Sequence, residues 1–131
     1  MYQVLLVDDN QMNQLVAVAT LEKLGYEVER AEDGAEAVAA CMHRQFDAVL
    51  MDIQMPVMDG YQATAEIREH ETTTGHRTPI IGLSARAMDG DRESAIAAGL
   101  DDYLTKPLRK EELREMLQRW ITASPTVVAR G

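Results

Sequence analysis

Basic residues are scarce in this chain. Lys and Arg number 13 against 22 Asp and Glu, which leaves a formal net charge of −9. Direct binding to nucleic acid needs a basic footprint, and this composition argues against one. Cysteine is nearly absent as well. Cys41 stands alone, so no internal disulfide can form and the composition suits a reducing compartment, read here as the cytoplasm. Its neighbours Val38 and Met42 suggest a thiol packed in a helix rather than a reactive one. No apolar run approaches the roughly 20 residues that a membrane span needs. The start, Met1-Tyr2-Gln3, lacks the basic region of a secretory signal. A Gly-rich phosphate loop is also missing after the first apolar run, where Asp8-Asp9-Asn10-Gln11 stands instead.

What the chain does contain is an alternation of strand-like and helical patterns, repeated five times. The runs Gln3–Val7, Tyr26–Arg30, Ala48–Asp52, Pro79–Leu83 and Tyr103–Thr105 read as strands, the last being the weakest because Asp101 and Asp102 are poor strand formers. Helices are predicted from about Gln11 to Leu24, with Val16, Ala17, Leu21 and Leu24 on one stripe, and from Gly34 to Arg44, Gly60 to His70 and Gly90 to Gly99. A last helix carries Leu113, Met116, Leu117, Trp120 and Ile121 at helical spacing. Glu71–Thr78 reads as a loop. Asp-Gly pairs at 33–34, 59–60 and 89–90 each precede a helical pattern, so they read as loop-to-helix turns rather than hairpins. Strands alternating with helices imply right-handed crossovers and a parallel sheet. The fold class is therefore α/β, a flavodoxin-like doubly wound (βα)5 with strand order 2-1-3-4-5. Residues 1–123 form one domain, and 124–131, beginning Ser124-Pro125, read as a tail or linker.

In such a sheet the carboxyl ends of the strands face one crevice, at the point where the strand order reverses. Asp8, Asp9 and Asp52 end two neighbouring strands there, and Lys106 ends a third. Converging carboxylates repel unless a cation joins them. An all-oxygen set suits a hard divalent ion such as Mg²⁺, with Asp9 and Asp52 as direct ligands, Asp8 direct or through water, and the Gln54 carbonyl as a further ligand. Asp52 is then a candidate nucleophile that accepts a phosphoryl group as an acyl phosphate. Lys106 would supply a second positive charge and Ser84 a hydroxyl to the phosphoryl oxygens. Taken singly, each of these residues has a plainer role: Asp9 as a cap for the first helix, Lys106 as a surface lysine, Ser84 as a turn residue. Four strand ends with complementary chemistry make coincidence the weaker explanation. His43, His70 and His76 read as surface histidines, and the methionines flanking the site as packing residues, since thioethers prefer soft metals.

These stretches resemble the receiver domain of bacterial two-component response regulators. The residues that carry the resemblance are Leu6–Asn10, Met51–Gly60, Pro79–Ala85 and Ala98–Pro107. The resemblance implies that Asp52 is phosphorylated from a phosphohistidine, so the partner would be a histidine kinase or a histidine phosphotransfer domain. It implies that Mg²⁺ is required, and that Lys106 and Ser84 bind the phosphoryl group. It also implies that Tyr103 fills space vacated by Ser84 after phosphorylation, altering the surface of the fourth predicted helix, strand five and the last helix. Lys106-Pro107 would be a cis peptide. Ser84 departs mildly from the family's usual threonine but keeps the hydroxyl. Gln54 and Arg86, two residues beyond Asp52 and Ser84, would tune the lifetime of the phosphoryl group. Asn10, Asn13 and the run Met51–Gly60 look most like receivers within hybrid sensor histidine kinases, with a stand-alone regulator as the alternative. No membrane contact is expected of the domain itself, and dimer formation on phosphorylation stays open. A Mg²⁺-dependent phosphatase with an aspartate nucleophile is a weaker alternative, because Gln54 stands where such enzymes place a general acid. A flavin or nucleotide module is weaker still without a Gly-rich loop.

Overall fold

Apolar side chains alternate along each central strand, and the sheet buries both of its faces. In a computed structural model that describes residues 2–53, 58–84, 93, 96–106 and 108–122, five strands form one sheet: β1 Gln3–Val7, β2 Glu27–Ala31, β3 Ala48–Asp52, β4 Ile80–Ser84 and β5 Asp102–Thr105. All neighbours are parallel and the order is β2-β1-β3-β4-β5, as the pattern predicts. Leu5, Val7, Val49, Met51 and Ile80 point to the face covered by α2 (Gly34–His43) and α3 (Gly60–Thr74), where they meet Ala37, Val38, Ala63 and Ile67. Val4, Leu6, Leu50, Ile81 and Leu83 point to the other face. There α1 (Gln11–Lys23) and the C-terminal helix (Lys110–Thr122) supply Leu21, Leu113, Leu117 and Ile121. This two-sided burial is why the central strands read as continuous apolar runs.

Two Asp-Gly pairs start helices, as predicted. Asp33 and Asp59 are N-caps whose carboxylates accept from Glu36 N and Gln62 N, and Gln62 closes a capping box. The glycine after Asp59 is demanded by space. A Cβ on Gly60 would lie 2.5 Å from the Asp52 carbonyl oxygen and 2.9 Å from Ile53 Cα. The start of α3 is thereby pressed against the end of β3. Asp89-Gly90 and half of the predicted Gly90–Gly99 helix lie outside the described residues; residues 93, 96 and 97 are helical, and Gly99 has φ 106° and donates to the Ile96 carbonyl. The tail from 124 and the Lys106-Pro107 peptide lie outside them too.

Several expectations need correction. The helical stripe of α1 is Gln14, Ala17 and Leu21, with Leu24 packed beside it, whereas Val16 is 67% exposed. Leu15 also faces out, so the apolar run at 15–18 spans both the core face and the surface of the helix. Helix α3 runs to Thr74, four residues into the predicted loop. Polar residues sustain that turn: Arg68 pairs with Glu71 at 2.7 Å, Thr72, Thr73 and Thr74 each donate to a carbonyl three residues back, and Gly75 closes the helix at φ 75°. β2 is shifted by one residue, to Glu27–Ala31. Asp102 does enter β5, buried, and the Trp120 indole N–H donates to it at 3.3 Å. Asp101 stays outside the strand and takes bonds from Arg68, Arg77 and Ile80 N. His43 is exposed, but His70 and His76 are half-buried. Cys41 is half-buried, and burial pushes its thiol up to about 12, so it is inert at neutral pH.

Gly60→Ala tests the close approach of α3 to β3. Helix propensity alone would favour alanine by up to about 1 kcal/mol. The contact with the Asp52–Ile53 backbone instead predicts a loss of about 1–3 kcal/mol, read as a lower melting temperature; a rise would contradict the packing.

Candidate functional site

The ends of β1, β3 and β5 bring four charged side chains together. Oxygens of Asp8, Asp9 and Asp52 all lie within 4.8 Å of one another. Asp8 and Asp52 are 3% and 5% exposed, while Asp9 faces solvent. Lys106 Nζ reaches both buried carboxylates, 3.2 Å from Asp8 Oδ2 and 3.2 Å from Asp52 Oδ2. Parallel registry explains the convergence. Val7 pairs with Met51, so the next residues of the two strands emerge side by side. The Lys106 backbone N–H donates to Ser84 O at 2.7 Å, which brings the lysine from β5 over the end of β4.

Among the described residues, the charges gathered in the crevice do not balance. Three carboxylates carry a formal −3 and Lys106 returns +1, leaving −2 in one crevice. Burial alone would push the Lys106 ammonium down, but the Asp52 and Asp8 carboxylates outweigh it and hold the group above the usual lysine range. Its stabilising contribution is therefore complete at neutral pH and fades only as pH climbs through that raised value. The donors are all oxygen, the charge deficit is that of a divalent ion, and one carboxylate opens to solvent. The residues present therefore fit a hard cation such as Mg²⁺.

Ser84 ends β4 beside Asp52, whose ladder partner is Leu83. Tyr103 is half-buried in β5 and pairs with Gly82. Gln54 and Arg86 lie outside the described residues. Asp9 does not cap α1. That role falls to Asn10, whose side-chain oxygen accepts from Asn13 N, while Asp8 Oδ1 accepts from Asn10 N at 2.9 Å. Asp9 is thus left to face the crevice mouth. Sequence reasoning missed Gln14, a buried residue whose amide donates to the Asp8 and Ala31 carbonyls. Its spacing from Ala17 and Leu21, three and seven residues on, was the available signal.

The chain matches the family model of the response regulator receiver domain over residues 4–118. It is 44% identical over 119 residues to the sensor protein GacS of Pseudomonas syringae pv. syringae, which covers 90% of this chain and 13% of GacS. The chain spans between 4% and 15% of the length of curated relatives such as this one. Among solved structures, it is similar to the receiver domain of the sensor histidine kinase PA1611 from Pseudomonas aeruginosa PAO1, which has a magnesium ion coordinated in its active-site cleft. That likeness has 48% identity and a TM-score of 0.84, over 93% of this chain and 98% of that one. It is also similar to the receiver domain of the Saccharomyces cerevisiae response regulator Ssk1, solved with the histidine phosphotransfer protein Ypd1, at 31% identity and a TM-score of 0.85 over 91% of this chain and 88% of that one. With a family match over most of its length, the expected strand order and the acids gathered at the switch point, this chain belongs to the response regulator receiver domains.

Proposed function

We propose that the domain receives a phosphoryl group on Asp52 from a phosphohistidine and returns it to water or to another histidine. The observation that carries this reading is the double contact of Lys106 with Asp8 and Asp52 beside the exposed Asp9. An oxygen of Asp52 attacks phosphorus, the bond from phosphorus to the imidazole nitrogen breaks, and the freed imidazole retains the electron pair. Asp8, Asp9 and Asp52 would hold Mg²⁺, which neutralises charge on the transferring group when bound. On phosphorylation, Lys106 follows the new charge and the Ser84 hydroxyl donates to a phosphoryl oxygen. Tyr103, half-buried one strand away, then repacks, and the surface around β5 and the C-terminal helix changes. Gln54 and Arg86 are assigned the tuning of phosphoryl lifetime.

A protein donor fits the rim of the site. Met12, Leu15 and Val16 of α1 are 72%, 57% and 67% exposed and, at spacings of three and four, share one face of the helix. Beside it a cavity of about 270 Å³, lined by Val16, Leu6, Leu83 and Leu108, opens next to Asp8 and Lys106. The parent protein is proposed to be a hybrid sensor histidine kinase with this domain in the cytoplasm. The sensor-kinase relatives support the hybrid-kinase part of that reading. A kinase core in the same reading frame would establish it, and a DNA-binding domain there would replace it with a transcription factor.

Asp52→Asn should abolish hydroxylamine-sensitive labelling by acetyl phosphate while leaving the fold intact by circular dichroism. Labelling that persists would move the acceptor elsewhere. Leu15→Glu combined with Val16→Glu should leave that small-donor labelling unchanged but slow transfer from a phosphorylated histidine phosphotransfer protein by about tenfold or more, the loss expected when an apolar anchor is replaced by a charge. Equal slowing with both donors would remove α1 from partner docking.

A further inference from the structure

Gln14 is a fully amide-bearing side chain in the core of an otherwise apolar helix face, and it sits directly beneath the acidic turn. It is 3% exposed. Its Nε2 donates to the Asp8 carbonyl at 2.6 Å and to the Ala31 carbonyl at 3.0 Å, using both hydrogens of the amide. The Asp8 backbone N–H also donates to Ala31 O, at 3.1 Å. The ends of β1 and β2 are therefore joined twice at one point. The Asp8 carbonyl belongs to the planar peptide that leads into Asp9. Holding that oxygen sets the plane of the peptide and with it the direction in which Asp9 leaves the strand. This matters because the Asp9 carboxylate is exposed, and among the described residues no hydrogen bond holds it. Asp8, by contrast, is fixed through its own side chain by Asn10 N and Lys106.

We propose that Gln14 is a positioning residue for the cation site: by clamping the Asp8 carbonyl to the end of β2 from below, it pre-sets Asp9 for ligation. The inference rests on the reading that the three aspartates hold a divalent ion. A side chain that merely filled the core at this position would be apolar, like Ala17 and Leu21 on the same stripe. An amide spanning two strand-end carbonyls is instead an outer support of the kind that tunes metal affinity without touching the metal.

The test is Mg²⁺ titration by calorimetry on the 131-residue chain and its variants, with melting temperatures in EDTA alongside. Gln14→Met keeps the length and removes both donors; Gln14→Asn keeps the amide and loses the reach, and it serves if the methionine variant does not fold. Ile121→Val, in the core on the C-terminal helix, controls for general loss of stability. Both Gln14 variants should bind Mg²⁺ about tenfold more weakly. The control should lower the melting temperature in EDTA yet bind Mg²⁺ as the wild type does. Labelling of Asp52 by acetyl phosphate should need more Mg²⁺ in the Gln14 variants but reach the wild-type rate once Mg²⁺ saturates. Wild-type affinity in both variants would overturn the proposal and leave the functional reading standing. A wild-type protein that takes up no Mg²⁺ would overturn the functional reading, and this inference with it.

Discussion

Mutual repulsion among three carboxylates is the constraint on which the rest of this structure turns. Asp8, Asp9 and Asp52 are held within 4.8 Å of one another, two of them buried, and Lys106 reaches both buried carboxylates. No fold gathers such charges for stability, since like charges in a partly buried site cost free energy. The domain must therefore hold them against their repulsion by other means, and those means account for much of what surrounds them. Perturbed charge clusters of this kind mark functional sites because the local cost is borne by the whole fold.

The scaffold supplies the holding force through two well-filled faces. Each central strand sends alternate side chains to opposite layers, so no strand can slide by one residue without exchanging its two cores. Registry between β1 and β3 then makes the meeting of Asp8 and Asp52 a consequence of packing rather than of attraction. Local devices refine it: Gly60 brings α3 hard against the Asp52 backbone, Asn10 relieves Asp9 of capping duty, and Gln14 braces the Asp8 peptide from beneath. Far from the crevice, Arg68 ties α3 to the Gly99 and Thr78 carbonyls and to Asp101, which anchors the approach to β5 and hence to Lys106.

Much of this was legible in the residues, and the failures have physical causes. The strand order and the two Asp-Gly helix starts follow from continuous apolar runs that alternate with helical patterns, which tertiary packing here reinforces. The α1 stripe was misjudged because Leu15 and Val16 are apolar yet exposed, while polar Gln14 is buried. Binary patterning cannot signal either an exposed apolar surface or a buried amide that satisfies carbonyls. The end of α3 lies beyond the pattern because Thr72, Thr73 and Thr74 have weak helical propensity and are held by hydroxyl bonds to the preceding turn, with Arg68 pairing to Glu71. Asp101 and Asp102 lowered the standing of β5 on propensity, yet both are tied down by Arg68, Arg77 and Trp120 from elements distant in the chain. The convergence of the acids was readable only because the topology was; no local pattern places Asp8 beside Asp52.

Folding concentrates negative charge at the switch point that a divalent cation relieves. The most direct test of this is the thermal unfolding midpoint of the unphosphorylated chain with and without millimolar Mg²⁺ at constant ionic strength. A ligand that binds only the folded state raises stability in proportion to the logarithm of its concentration over its dissociation constant. A clear upward shift that grows with Mg²⁺ and disappears in Asp9→Asn is the expected result. An unfolding midpoint that ignores Mg²⁺, or a shift that survives Asp9→Asn unchanged, would contradict it.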